Sequence, residues 1–101
     1  MDRYYRTRMA ASQEALEVDL LENTSVEAPW YVVLFNDEVH AFDEVVLQVM
    51  KATGHGLQRA AQVTLQAHTA GKADAFSGPF EECLRVGGVL GEIGLLTEIK
   101  G

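Results

Sequence analysis

The sequence predicts an α+β protein, a sandwich in which helices cover a three-stranded antiparallel sheet, with the elements in the order strand, helix, helix, strand, helix, strand. Three observations lead there. Trp30-Tyr31-Val32-Val33-Leu34-Phe35 is an unbroken run of aromatic and aliphatic residues, the pattern of a strand covered on both sides inside a sheet. On either side of Gly54-His55-Gly56 lie two stretches whose apolar residues recur at spacings of three and four, the period of helices with one buried stripe. Two short stretches, 72–77 and 95–99, alternate instead, as half-buried strands do.

The opening strand stops at Asn36-Asp37-Glu38, polar side chains that favour turns and whose oxygens accept hydrogen bonds. That loop is the candidate working site. A helix follows, with Phe42, Val45, Val46, Val49, Met50 and Thr53 in step and Asp43 and Glu44 in its first turn, where carboxylates favour the positive end of the helix dipole. Gly54 ends it, and His55-Gly56 leaves room only for a tight corner. The second helix carries Leu57, Ala60, Ala61, Thr64, Leu65 and His68 as its expected buried stripe, and Gly71 stops it. On this reading His68 sits on the buried face, where the apolar stripe runs out.

Residues Lys72 to Ser77 read as a short, partly exposed strand, and Ser77-Gly78-Pro79 as a helix start with Glu81 and Glu82 beside it. The third helix is expected to reach about Ile93 and to bury Phe80, Leu84 and Leu90. Gly87, Gly88 and Gly91 weaken it by about 1 kcal/mol each relative to Ala, and the expectation is that they serve close packing. Gly94 breaks the helix, and Leu95 to Ile99 closes the chain as a strand with Leu95, Thr97 and Ile99 on one face.

At 101 residues, 48% of them hydrophobic, the chain fits one small domain. The expected division is a mobile N-terminal extension over 1–28, whose apolar residues keep no clean period, and a core domain over 29–101. The formal net charge of −7 argues against nucleic acid, whose phosphates it would repel, and favours cationic ligands or basic partner surfaces. A single cysteine, Cys83, cannot form an internal disulfide and matches no zinc spacing, which fits a reducing compartment. The opening residues lack the apolar run of a signal peptide, and no stretch approaches the roughly 20 apolar residues that cross a bilayer. The expectation is a cytoplasmic monomer without membrane contact.

Enzymatic chemistry finds little support. No Gly-rich phosphate loop follows a strand, no Ser or Cys lies in a nucleophile elbow, and His40, His55 and His68 lack metal-ligand spacing. Cys83 falls among apolar helix positions and reads as a small buried hydrophobe. Asn36, Asp37 and Glu38 offer too few regularly spaced oxygens for calcium. The expected set of cofactors and metals is empty.

Val32-Val33-Leu34-Phe35-Asn36-Asp37-Glu38, an apolar helix, and then Ala60-Ala61-Gln62-Val63-Thr64-Leu65-Gln66-Ala67-His68-Thr69-Ala70-Gly71-Lys72-Ala73 together resemble the ClpS family. Its members are adaptors that select N-end-rule substrates for Clp AAA+ proteases. The resemblance covers about residues 29 to 99, and the family's α/β sandwich agrees with the element order above. It implies that Asn36, Asp37, Glu38 and His68 hold the free α-amino group of a substrate. It also implies a hydrophobic pocket for a first residue such as Leu, Phe, Tyr or Trp, walled by His40, Phe42, Val45, Thr64, Ala67 and Leu95. The chemistry is coherent, since an ammonium only donates and an amide oxygen, a carboxylate and a neutral imidazole nitrogen all accept. Many members have Thr where this chain has His40, Met where it has Phe42 and Thr64, Val where it has Ala67, and Asp where it has Glu38. The partner implied is the N-terminal domain of a ClpA- or ClpC-type unfoldase, contacted through the third helix, where Glu81 matches the acidic position and the basic one falls near Arg85. Two rival readings are a regulatory module of the same fold that docks on the unfoldase without binding N-degrons, and a small hydrolase using His68 with Asp37 or Glu38.

Overall fold

In the computed structural model residues 28–101 are described; the extension expected over 1–28 lies, apart from Ala28, outside them. The six elements follow the expected order: β1 (Trp30–Phe35), α1 (Phe42–Thr53), α2 (Leu57–Ala70), β2 (Lys72–Gly78), α3 (Phe80–Gly91) and β3 (Thr97–Lys100). β1 is the central strand of an antiparallel sheet ordered β2-β1-β3. That placement is what the unbroken apolar run implies. Val32 and Leu34 point into the main core, while Val33, on the alternate face, is only 3% exposed.

The core lies between the sheet and the helices. α3 packs against all three strands, α1 packs on α2 and α3, and α2 leans on β2. Pairing of β1 with β2 shifts register between Val32 and Val33, so that Ala75 is the extra residue of a bulge. An extra residue in a bulge leaves backbone groups without a ladder partner, and here the Ala75 carbonyl accepts from Nε2 of His55 at 2.8 Å. His55 therefore closes the α1–α2 corner onto the sheet.

Three packing expectations need correction. The buried face of α2 consists of Ala60, Val63, Thr64 and Ala67, whereas Leu57 and Leu65 are 63% and 53% exposed and His68 is exposed too. The helical period is right but its phase is rotated, because both faces carry apolar residues and the smaller ones let α2 approach its neighbours closely. In α3 the buried residues are Cys83, Val86 and Leu90. Leu84 is exposed, and Phe80 is half-exposed with its ring edge-on to Trp30 at 4.9 Å. Finally, α3 ends at Gly91, not near Ile93, and the last strand begins at Thr97, while Leu95 precedes it as a buried core residue.

The glycines of α3 are not imposed by packing either. A Cβ on Gly88 or Gly91 would meet no atom within 4 Å, and one on Gly87 would make an ordinary 3.6 Å contact with Thr97. Gly88 lies in the exposed middle of the helix, where glycine only adds freedom to the unfolded chain. Gly88→Ala is expected to stabilise the protein by about 0.4–1 kcal/mol, as a higher urea midpoint at unchanged slope; a lower midpoint would mean that the packing of α3 requires glycine there.

Candidate functional site

Three chain segments converge where β1 ends. The backbone N–H of Phe35 donates to the carbonyl of Leu96, and that of Asn36 donates to the carbonyl of Gly71 at 2.9 Å. Gly71 can sit there because its φ of +93° closes α2 in the left-handed region, where its own N–H bonds back to Ala67. One backbone hydrogen bond thus ties the loop after β1 to the end of α2. His68 is on the last turn of that helix.

The loop is then shaped by a single carboxylate oxygen. Oδ2 of Asp37 accepts from the N–H of Val39 at 3.0 Å and from the N–H of His40 at 2.6 Å, and it also contacts Nδ1 of the His40 ring at 2.9 Å. These backbone donors, that of His40 foremost, lower the Asp37 pKa below its ordinary value, although burial of the group opposes the shift. Asn36 donates from Nδ2 to Oε2 of Glu38 at 2.6 Å. With its amide nitrogen engaged, the Oδ1 of Asn36 is left as the acceptor.

These elements enclose a pocket of about 230 Å³ lined by Leu34, Phe35, Asn36, Asp37, Glu38, His40, Phe42, Val45, Thr64, Ala67 and His68. That volume lies below the roughly 300–1,000 Å³ of sites for drug-sized ligands, a scale suited to a single residue. The polar residues belong chiefly to the loop and to the end of α2, the apolar ones to the end of β1, to α1 and to the inner face of α2. Thr64 adds little polarity, since its hydroxyl donates to the Ala60 carbonyl at 2.8 Å.

Nine of the ten residues assigned to the site from sequence therefore line one cavity. The tenth, Leu95, does not: it is 5% exposed within the main core, because the turn after α3 directs it under the sheet. His68 reaches the cavity from an exposed helix position. Asp37 spends one oxygen inside the loop, so its first task is to hold Val39 and His40. Leu34 and Phe35, unassigned from sequence, form part of the lining; the signal was their place at the strand end next to the loop.

The family model for the ATP-dependent Clp protease adaptor protein ClpS matches residues 25–87. The chain belongs to the ClpS family. The matching segment begins before β1 and runs through the loop and α2 into α3, so it contains every residue lining the pocket. A relative from Corynebacterium aurimucosum, the ATP-dependent Clp protease adapter protein ClpS, is 35% identical over 65 residues, covering 64% of this chain and 57% of the relative's length. The match thus spans little more than half of that protein. Among solved structures, Agrobacterium tumefaciens ClpS2 bound to L-phenylalaninamide superimposes with a TM-score of 0.67 at 15% identity, over 72% of this chain and 95% of that one. At that identity the likeness establishes a common fold.

The residues assigned to an unfoldase contact lie away from the pocket lining. Glu81 is exposed on the first turn of α3. Arg85 pairs with Glu82 at 3.0 Å and donates from Nη1 to the Ala52 carbonyl at 3.1 Å, so it also fastens α3 to the last turn of α1. Cys83 is fully buried, its thiol pKa raised by that burial, and it is placed as the small core residue its helical position implies. No group of three or more His, Cys, Asp or Glu among the described residues could hold a metal ion.

Asp37→Ala is expected to cost about 1–2 kcal/mol, since two backbone donors lose their acceptor. Because the folded-state pKa lies below the ordinary 3.8, the ionic part of this contribution is present above that value and is lost as pH falls through the folded one. Urea unfolding should therefore show the gap between wild type and Asp37→Ala narrowing below about pH 4. A gap that stays constant down to about pH 2 would remove the carboxylate's charge from the account.

Proposed function

We propose that the chain is a non-enzymatic recognition adaptor that binds proteins by a free α-amino group and a bulky hydrophobic first residue, and passes them to a ClpA- or ClpC-type AAA+ unfoldase. One observation carries this reading. Acceptors from the strand-end loop (Asn36, Asp37, Glu38) and an imidazole from α2 (His68) share a small cavity with an apolar wall formed by Phe42, Val45, Thr64 and Ala67. A carboxylate pair with an amide oxygen suits a donor-only cation, and the wall below suits one side chain. The ligand named for the Agrobacterium structure, an amino-acid amide with a free amine, has this chemistry.

The magnitudes agree with a transient adaptor. Charge-assisted hydrogen bonds contribute about 1.5–3 kcal/mol each, and burying a Leu or Phe side chain contributes about 1.5–3 kcal/mol. Against these stand lost freedom and the ordering of a peptide end. What remains corresponds to a Kd of about 1 μM. In this reading Glu38 serves twice, once by orienting the Asn36 amide and once by attracting the ammonium. Delivery is assigned to the outer face of α3, with Glu81 as the exposed acidic contact and Arg85 beside it, and residues 1–28 are assigned to substrate handover.

Short peptides beginning with Leu or Phe are expected to bind, and acetylation of the α-amine should weaken them by about 100-fold, because it removes the charge and leaves the acceptors that the peptide covers unpaired. Asn36→Ala and His68→Ala should each weaken binding about tenfold while moving the melting temperature by less than about 4 °C. Equal binding of free and acetylated peptides, or none of either, would leave the chain as a docking module without N-degron recognition.

A further inference from the structure

We propose that His40 biases the pocket toward a first side chain that carries its own hydrogen-bond donor, Tyr or Trp, over Phe and Leu. The inference rests on the pocket being a receptor for a free N-terminal residue and adds which residues it prefers. His40 is a pocket-lining residue with a side chain 17% exposed, and its Nδ1 is held 2.9 Å from Oδ2 of Asp37. That oxygen belongs to a carboxylate, which only accepts, so the neutral ring carries its proton on Nδ1. The other nitrogen, Nε2, is then an acceptor.

Nothing among the described residues engages that acceptor. Among the described residues His40 makes hydrogen bonds only from its backbone N–H and its Nδ1, both to Asp37. Of the remaining wall side chains Phe42, Val45 and Ala67 are apolar, and the Thr64 hydroxyl, whose hydrogen goes to the Ala60 carbonyl, keeps only its oxygen as a second acceptor, which substitution of His40 leaves in place. Tethering by Asp37 also fixes the ring, so Nε2 has one orientation and loses little entropy on pairing. In this proposal the nitrogen lies on the cavity side of the ring, where a Phe or Leu that fills the pocket would deny it a donor, whereas a Tyr O–H or a Trp indole N–H would supply one. Because the side chain keeps some exposure, the preference should be modest, about two- to tenfold in Kd.

The test is a fluorescence-anisotropy titration of peptides that differ only in their first residue (Tyr, Trp, Phe or Leu), each with a free and an acetylated amine. It uses the full chain and two variants, His40→Thr, which removes the ring, and His40→Phe, which keeps a ring without the acceptor. Wild type is expected to bind the Tyr peptide about two- to tenfold more tightly than the Phe peptide, with the ratio falling to about one in both variants whatever their overall affinity. A ratio of one or less in wild type, or a ratio that survives in a folded variant, overturns the inference. So does a uniform loss across all four residues in the variants, which would make His40 a holder of the amine. Amine-dependent binding without a Tyr preference defeats only this inference, while insensitivity to acetylation defeats the receptor reading and this one with it.

Discussion

The hydrogen bond from the Asn36 N–H to the Gly71 carbonyl is the constraint on which the site depends. Asn36 follows the central strand and Gly71 follows α2, so this contact joins two chain positions that are distant in sequence at one mouth. It extends by one step the ladder that pairs Phe35 with Lys72, and so holds the loop acceptors and His68 at the same end of the sheet. It forms because Gly71 takes a left-handed conformation at no steric cost, which turns the chain from α2 into β2 beside β1.

Within that frame the acidic residues of the loop divide the work. Asp37 spends an oxygen on backbone N–H groups and on the His40 ring, fixing the turn before α1 begins. The helix itself has no side-chain cap, since Ala41 stands at the N-cap position. Glu38 instead engages the Asn36 amide and stays exposed. A site built this way has its acceptors oriented before a cation arrives, and preorganisation lowers the cost of binding. His55 performs a comparable duty on the far side of α1, where its ring satisfies the bulge carbonyl. The three histidines thus occupy three different settings: His55 structural, His40 tethered in the pocket wall, and His68 exposed at the mouth.

Much of this was legible in the residues. The apolar run of β1, the helical spacings and the glycines at 54 and 71 sufficed for element order, because each reflects a local rule that tertiary packing did not override. The acidic turn and the segment from His68 to Lys72 carried the family resemblance, and it was that resemblance that implied the residues lining one cavity. What escaped was the phase of α2 and α3. Leu57, Leu65 and Leu84 are large and apolar yet face outward, while Ala60, Ala67 and Cys83 are buried, and spacing alone cannot choose between two apolar faces of one helix. Leu95 escaped for a related reason: it sits in the turn before β3, where no period applies, and its backbone N–H bonds to Leu90 at the end of α3. The bulge at Ala75 left no mark on the alternation of β2, so the role of His55 was invisible as well.

The central claim is that the strand-end loop and the end of α2 form one receptor for a free N-terminal residue. A nuclear magnetic resonance titration of the ¹⁵N-labelled chain with a short peptide beginning with a free-amine Leu tests it most directly. The account predicts that backbone signals of 36–42 and 64–71 shift together along one saturating curve, while those of α3 around Glu81 and Arg85 stay in place. Shifts confined to another face, or separate responses of the two segments, would contradict it.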